Sequence, residues 1–199
     1  MKFKSKGALF GLDARVALAI FGVLSIITGT ALYKSFQEAS VTAILAEMNN
    51  INKAFTNYLI DTGTYPKISP DANGSNGGLK IEELITSSMK NWDGPYISLT
   101  DNWSDTDGIL EHPTYNNITA YSKADMLWSS PFSSSTKCLL TSDTCFIYIC
   151  YNGITENMKK LLDIKIDGTT SAQAGNFRYS ASVGCKKGIN YDKNLAPSS

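Results

Sequence analysis

The first sixty residues constrain the fold of this chain more than any other stretch. Residues 16–32 (VALAIFGVLSIITGTAL) contain no charged side chain. Further along, apolar residues recur at steps of three and four, at Val41, Ile44, Met48, Ile51, Phe55 and Tyr58, which predicts one apolar seam along a helix. No proline precedes Pro66, so a single helix of about 70 Å is predicted from about Leu12 to Leu59. Its first half needs a membrane, and its second half needs a packing surface.

Length and charge exclude several classes of protein. The 199 residues allow one domain of ordinary size beyond the helix, and 18 basic against 18 acidic residues give no argument for nucleic-acid binding. Three lysines, at positions 2, 4 and 6, place the N-terminus in the cytoplasm by the positive-inside rule. His112 is the single histidine and no CxxC motif occurs, which argues against a zinc site.

The apolar segment allows three interpretations. A secretory signal would be cut after the small residues that end at Ala31. A plain membrane anchor would keep the segment, although 17 uncharged residues are at the short end of what spans a bilayer. In the third interpretation, cleavage falls before the apolar run and leaves it on the mature protein as a packing helix. The seam that starts at Val41 favours the two interpretations in which the segment is retained.

The N-terminal half, Met1–Leu99, resembles type IV pilins and the pseudopilins of type II secretion. The resemblance rests on the basic leader ending in Gly7, the apolar stretch with one acid near its start, and the phrases at 59–66 (LIDTGTYP) and 92–97 (WDGPYI). It implies cleavage after Gly7 by a prepilin peptidase, methylation of Ala8, and assembly with copies of itself into a helical filament. An inner-membrane platform and a cytoplasmic ATPase would drive assembly, with the head in the periplasm. A third likeness, to the globular domains of pilins, covers residues 162–179.

Asp13 is the candidate assembly contact. In the pilin family, an acid at the fifth mature position neutralises the N-terminal amine of a neighbouring subunit. Cleavage after Gly7 makes Asp13 the sixth residue and cleavage after Gly11 makes it the second, so the cleavage site stays open. Arg15, two residues away, lies on a different side of the helix and is a poor intrahelical partner. The lysines with Asp13 and Arg15 also fit a plain membrane boundary.

The predicted fold class is α+β, a long N-terminal helix packed on a small antiparallel sheet with disulfides, as in pilins. The predicted parts are a leader (1–7), a transmembrane and filament-core helix (8–33), its amphipathic continuation (34–62), a periplasmic head (63–187) and a flexible tail (188–199). Within the head, the sequence predicts helices over Ile81–Met89 and Glu156–Ile164, the second capped by Thr155, and a strand over Tyr96–Leu99. Trp92 and Tyr96 are predicted to pack against the helix seam.

A run of acidic residues suggests a calcium site. Asp101, Asp105 and Asp107 lie in one turn, and Ca²⁺ takes several oxygen ligands from flexible loops. The run does not match the EF-hand template, because Trp103 and Thr114 would fill its first and twelfth positions. Resemblance to calcium-binding pseudopilins favours the site, whereas the ordinary use of Asp and Asn in turns offers another explanation.

Four cysteines predict disulfides and an oxidising compartment. Cys145 and Cys150 stand five residues apart in a predicted strand, so their side chains point to opposite faces. The economical pairing is Cys138 with Cys145 across a hairpin, and Cys150 with Cys185 in the C-terminal segment. Three pairings are open from the sequence alone.

No motif for catalysis stands out. The serines lack a nucleophile-elbow setting, His112 precedes a proline, and no phosphate-binding glycine loop occurs. We therefore expect a structural protein rather than an enzyme, a subunit of a type IV filament in either a secretion pseudopilus or a pilus. The alternative is a membrane-anchored periplasmic binding domain that does not polymerise.

Overall fold

The computed structural model describes residues 8–69, 77–100, 107–125, 138 and 144–197. The chain divides into two compact units, Met1–Thr42 and Ala43–Ser199. Helix α1 runs from Ala8 to Thr62 and contributes its last twenty residues to the second unit. The predicted leader lies outside the described residues.

The end of α1 follows the sequence prediction. The last helical residue is Thr62, and Gly63 adopts a positive φ of 75°. The Gly63 N–H donates to the carbonyl oxygen of Leu59 at 2.9 Å, which closes the last turn. Glycine reaches this left-handed conformation without the steric cost that other residues carry.

The second unit contains a six-stranded antiparallel sheet. Its order is β1-β3-β4-β6-β5, and β2 also pairs with β3. The strands are β1 (Gly78–Leu79), β2 (Ile109–Glu111), β3 (Asn117–Ala124), β4 (Cys145–Asn152), β5 (Phe177–Tyr179) and β6 (Val183–Asn190). Helix α2 (Glu156–Asp167) contacts β5.

The seam of α1 forms part of the core of the second unit. Ile44, Met48, Ile51, Phe55 and Tyr58 are at most 2% exposed, as the spacing predicts. Asn52 on α1 lies so close to Gly188 of β6 that any Cβ there would collide with its amide. The observed architecture is therefore the predicted one, an α+β fold with a pilin-like layout: a long helix packed on a small antiparallel sheet, with two disulfides.

Local predictions in the head were right for α2 and wrong at three other places. Thr155 caps α2 by accepting a hydrogen bond from the Met158 N–H at 3.4 Å, as predicted, although α2 continues to Asp167. The helix predicted over Ile81–Met89 is a single 3₁₀ turn over Ile81–Leu84. The strand predicted over Tyr96–Leu99 does not form, since these residues belong to no strand and the backbone bends at Ile97.

The third correction concerns the C-terminal tail. The boundary predicted at Gly188 falls inside β6, which pairs Asn190 with Phe146 of β4. The following Tyr191 is 7% exposed and stacks on Tyr65 at 4.7 Å between ring centroids. Composition marks this segment as polar, but the aromatic ring of Tyr191 has a partner in the head that the local sequence does not reveal.

Candidate functional site

The apolar part of α1 is the most exposed hydrophobic surface among the described residues. The stretch of 18 residues that qualifies as a membrane span has a mean hydropathy of 2.1, and none of it is buried. By length and composition, this helix can cross a membrane. The large side chains that are more than half exposed include Val16, Leu18, Ile20, Phe21, Val23, Leu24, Ile26, Ile27, Leu32 and Tyr33.

The two threonine hydroxyl groups within this stretch are satisfied by the helix itself. Thr28 Oγ1 donates to the carbonyl oxygen of Leu24 at 2.8 Å, and Thr30 Oγ1 donates to that of Ile27 at 3.0 Å. Such bonds remove the cost of placing a hydroxyl in hydrocarbon, because the polar hydrogen needs no water. The two threonines are therefore compatible with apolar surroundings for this stretch.

Three glycines give this part of α1 a narrow face. Gly11, Gly22 and Gly29 have no atom within 4 Å of where a Cβ would stand. Their spacings of eleven and seven residues bring them within about 20° of one another around the helix axis. Small residues on one face let helix backbones approach closely in a membrane or a bundle. This spacing is readable from the sequence, and our prediction did not use it.

Asp13 lies on the exposed surface of α1 near its start. Neither Asp13 nor Arg15 forms an ion pair within the described residues, in agreement with the expectation that they make poor intrahelical partners. The candidate cleavage residue Gly7 lies outside the described residues, and α1 begins at Ala8. A carboxylate at the edge of an apolar helix is costly unless a partner neutralises it, so Asp13 is suited to an intermolecular contact.

Only one of the three candidate calcium ligands can be described. Asp101 and Asp105 lie outside the described residues. Asp107 forms a turn into β2, in which its Oδ1 accepts from the Ile109 N–H at 2.9 Å and its carbonyl oxygen accepts from Ser69 Oγ at 2.7 Å. Within the described ranges, no three acidic, histidine or cysteine residues come together as metal ligands. Calcium binding stays a prediction.

Glu82 is an unusual residue that the sequence did not single out. It lies in the 3₁₀ turn over Ile81–Leu84 and is 8% exposed. Neither of its carboxylate oxygens forms a hydrogen bond of good geometry within the described residues, although the backbone N–H groups of Glu82 and Gly108 lie near enough to lower its pKa in part. Burial raises the pKa of Glu82 to about 7, and the negative charge of Asp107 contributes in the same direction. Glu82 is thus a buried acid that titrates near neutral pH.

The disulfide pairings agree with the predicted ones. Cys138 is bonded to Cys145, and Cys150 is bonded to Cys185. Cys150 and Cys185 are directly opposite each other on β4 and β6, and both are at most 1% exposed. This second bond therefore crosses the middle of the sheet, whereas the first joins the start of β4 to a residue seven positions earlier.

A groove of about 550 Å³ runs between α1 and the segment Pro95–Leu99. We call it the α1 groove. Ile51 and Ala54 line it from the helix, together with the polar side chains of Glu47, Asn50, Lys53 and Asn57. Tyr96, predicted to pack against the seam of α1, contacts Tyr58 there and lines the second wall. Trp92 was predicted to do the same but packs on Tyr96 instead.

Hydrogen bonds and ring contacts hold the two aromatic residues next to this wall in place. Tyr96 OH donates to Asp61 Oδ2 of α1 at 2.7 Å, and the Tyr96 ring packs edge-on against Tyr58 at 6.0 Å. Trp92 Nε1 donates to the carbonyl oxygen of Glu83 at 3.1 Å. Both Trp92 and Tyr96 are partly exposed, so they lie at the border of the core rather than inside it.

His112 is held on both sides of its ring. Its Nδ1 accepts from the N–H groups of Thr114 and Tyr115, each at 3.0 Å. With Nδ1 as the acceptor, the proton of the neutral ring is on Nε2, which lies 3.2 Å from Glu47 Oε2 on α1. His112 therefore links the turn after β2 to α1 through hydrogen bonds.

Comparison with protein-family profiles, with curated proteins and with solved structures found no match.

Proposed function

We propose that this chain is a structural subunit of a type IV filament that assembles through the apolar part of α1. In this proposal, the protein is inserted in a bacterial inner membrane with its N-terminus in the cytoplasm and its head in the periplasm. A prepilin peptidase removes the basic leader after Gly7, and the new N-terminus at Ala8 is methylated. A cytoplasmic ATPase and a membrane platform then move the subunit into a filament of a type II secretion system or a pilus.

The observation that carries the proposal is the exposed apolar helix. Burying apolar area gives about 25 cal/mol per Å², so side chains such as Phe21 and Ile26, which are 69% and 70% exposed, need lipid or neighbouring copies. The helix continues without a break to Thr62. A membrane supplies the apolar surroundings before assembly, and the helices of neighbouring subunits supply them afterwards.

Two features of α1 would determine how the helices of neighbouring subunits pack. The face formed by Gly11, Gly22 and Gly29 lets a neighbouring helix approach closely. Asp13 lacks an ion-pair partner within the described residues and would meet the N-terminal amine of the next subunit. An ion pair in these apolar surroundings fixes the axial position of neighbouring helices, because a shifted register leaves both charges unpaired.

The proposal is tested by the variant Asp13→Ala in the native bacterium, with Arg15→Ala as the matched control. Filaments are sheared from cells or recovered from the periplasm, and the subunit is quantified by immunoblot in the filament and membrane fractions. We expect Asp13→Ala to stay in the membrane while Arg15→Ala assembles. Absence of the wild-type subunit from any filament, with the peptidase and ATPase present, would refute the proposal.

A membrane-anchored binding domain that does not polymerise is the second candidate. The α1 groove favours it, since a groove with polar and apolar walls is suited to a ligand. We also propose that the protein is not an enzyme. In support, both ring nitrogens of His112 are engaged by Glu47 and by backbone N–H groups, which leaves this histidine unsuited to act as a general base.

A further inference from the structure

The C-terminal half of α2 carries two aspartates, and one of them is fully buried. Asp163 and Asp167 stand four residues apart, so their carboxyl groups lie on the same side of the helix. Asp163 has no exposed surface, whereas Asp167 is partly exposed. Asp163 Oδ2 accepts from the Ser171 N–H at 2.6 Å, but Oδ1 has no hydrogen-bond donor within the described residues. A buried carboxylate with one oxygen lacking a donor is costly, so this group needs a further partner.

Asp167 is the group that faces this buried carboxyl, and it already has its own donors. Its Oδ1 accepts from the backbone N–H and the side-chain amide of Asn176, at 3.0 and 2.9 Å, and its Oδ2 accepts from the Phe177 N–H at 2.7 Å. Burial raises the pKa of Asp163, and the Ser171 N–H opposes part of this rise. The charge of Asp167, and its capacity to accept a hydrogen bond from the protonated form, raise the pKa of Asp163 further. A proton on Asp163 therefore removes the repulsion and supplies the missing hydrogen bond.

The two aspartates hold a loop over the outer edge of the sheet. We call residues 168–176 the α2–β5 loop. β5 is the last strand of the sheet and pairs with β6 on one side. On its other side, the Phe177 N–H donates to Asp167 Oδ2, and the Tyr179 N–H donates to the carbonyl oxygen of Ala172 at 2.9 Å. The loop thus covers an edge whose N–H groups would otherwise be open to another strand.

We propose that Asp163 and Asp167 share one proton, and that this proton latches the α2–β5 loop against the outer edge of β5. Loss of the proton leaves two facing carboxylates, one of which is shut off from water. Ser171 belongs to the loop and donates to Asp163, so movement of the loop is the direct route by which water reaches the buried carboxylate. The loop therefore opens as the pH rises, and the Tyr179 N–H becomes free to pair with another extended chain.

Other ionisable groups around the pair do not replace the proton. They lie on α2, β5 and β6 and comprise Glu156, Lys159, Arg178, Tyr179 and Lys186. Lys159 and Arg178 form ion pairs with acids outside this pair. The charge of Asp163 acts on Tyr179, and that of Asp167 acts on Lys186, but neither donates to Asp163 Oδ1. The oxygen without a donor is therefore left to a proton.

The test is amide hydrogen exchange of the full chain in detergent, read by mass spectrometry over peptides that contain Ser171 and Tyr179. Rates measured between about pH 4 and about pH 8 are divided by the intrinsic rate of an unstructured chain at each pH. In the wild type, the protection of both amides is expected to fall at least tenfold as the pH rises. The protection of amides in the middle of β4 is expected to stay constant, which shows that the sheet remains folded.

Asp163→Asn is the decisive variant. An asparagine keeps the hydrogen bonds of the protonated carboxyl, since its Nδ2 can donate to Asp167 and its Oδ1 can accept from the Ser171 N–H. The loop of this variant is expected to stay closed over the whole pH range. Two controls are expected to keep the pH dependence of the wild type. They are Asp192→Asn, at an exposed aspartate that also accepts a backbone N–H, and Glu82→Gln, at a buried acid elsewhere in the head.

Three outcomes would overturn the proposal. The first is unchanged protection of Ser171 and Tyr179 in the wild type over the pH range. The second is the same pH dependence in Asp163→Asn as in the wild type, which would assign the titration to another group. The third is protection at about pH 8 that millimolar Ca²⁺ restores and a chelator removes, which would place a metal ion rather than a proton between the aspartates. None of these outcomes bears on filament assembly, because the α2–β5 loop lies outside the apolar part of α1.

Discussion

At the scale of single residues, Asp125 links three elements of the head. It follows β3 directly, and its Oδ1 accepts from Arg178 Nη2 of β5 at 2.8 Å. Its Oδ2 accepts from Lys187 Nζ of β6 at 2.6 Å. Burial alone would raise the pKa of Asp125, but the hydrogen bonds from Lys187 and Arg178 outweigh it and lower the pKa. The ionised form is therefore the form that the fold stabilises.

The variant Asp125→Asn is expected to lose about 1–2 kcal/mol of unfolding free energy at pH 7, since the two cations lose their partner and the site is partly solvated. A carboxyl whose folded pKa is lowered stabilises the fold above its unfolded pKa of about 3.9 and loses that contribution as the pH falls through the folded pKa. Urea unfolding across this range should therefore show a weaker acid dependence for Asp125→Asn. Exposed Asp93→Asn serves as the control. Identical acid profiles for Asp125→Asn and the wild type would contradict this account.

Glu82 predicts the opposite pH dependence. Burial raises its pKa to about 7, so the folded state holds a proton that the unfolded chain has already released above about pH 4.3. Stability is then expected to fall as the pH rises from about 4.3 to about 7 and to level off above it. Glu82→Gln is expected to remove this slope and to raise the unfolding free energy at pH 8 by about 1–3 kcal/mol.

The neighbouring Glu83 is the matched comparison for that measurement. Glu83 Oε2 accepts a hydrogen bond from Tyr58 OH at 2.7 Å, so Glu83→Gln is expected to cost stability rather than add it. Thermal unfolding of both variants at pH 5 and pH 8 separates the two effects. A Glu82→Gln variant that is less stable than the wild type at pH 8 would show that the ionised carboxylate has a partner.

At the scale of elements, the two disulfides contribute unequally. The Cys150–Cys185 bond closes a separation of 35 residues, and the Cys138–Cys145 bond closes one of 7. From the loop entropy of the unfolded chain, these lengths correspond to about 4 and about 2.5 kcal/mol. Cys150 and Cys185 are also buried in the sheet. Replacing them with alanine should therefore remove core contacts and lower the unfolding free energy further.

We therefore expect Cys150→Ala with Cys185→Ala to lose more unfolding free energy than Cys138→Ala with Cys145→Ala. Urea unfolding followed by tryptophan fluorescence measures the difference between the two double variants. Equal losses would contradict both the difference in loop length and the additional contribution expected from the buried Cys150–Cys185 bond.

The elements that the sequence predicts are those defined by local patterns. The seam of α1 and its end at Gly63 depend on spacing and on one backbone conformation, and both are correct. The cap of α2 depends on Thr155, whose side chain accepts a hydrogen bond from the backbone N–H three residues later. These features need no information from distant parts of the chain.

The features that the sequence did not predict depend on distant contacts. The segment after Tyr96 has strand composition, but the Tyr96 hydroxyl binds Asp61 and its N–H binds Leu84, which hold the segment against α1 instead of in the sheet. The α1 groove joins residues more than forty positions apart. Likewise, Tyr191 is ordered by Tyr65, whose hydroxyl also donates to the Asn190 carbonyl oxygen at 2.9 Å.

At the scale of the whole molecule, the account depends on retention of the apolar part of α1 by the mature protein. The exposed apolar residues of this part, such as Leu18 and Phe21, can contribute to assembly only if the segment stays attached to the mature protein and contacts lipid or other copies. A secretory signal with the same composition would be removed after Ala31, and only the second half of the helix would remain.

Mass spectrometry of the mature N-terminus, on protein purified from its native cells, tests this claim most directly. The account predicts loss of Met1–Gly7 and a methylated N-terminal Ala8, in a chain that retains residues 8–33. A mature chain that begins after Ala31 would contradict it.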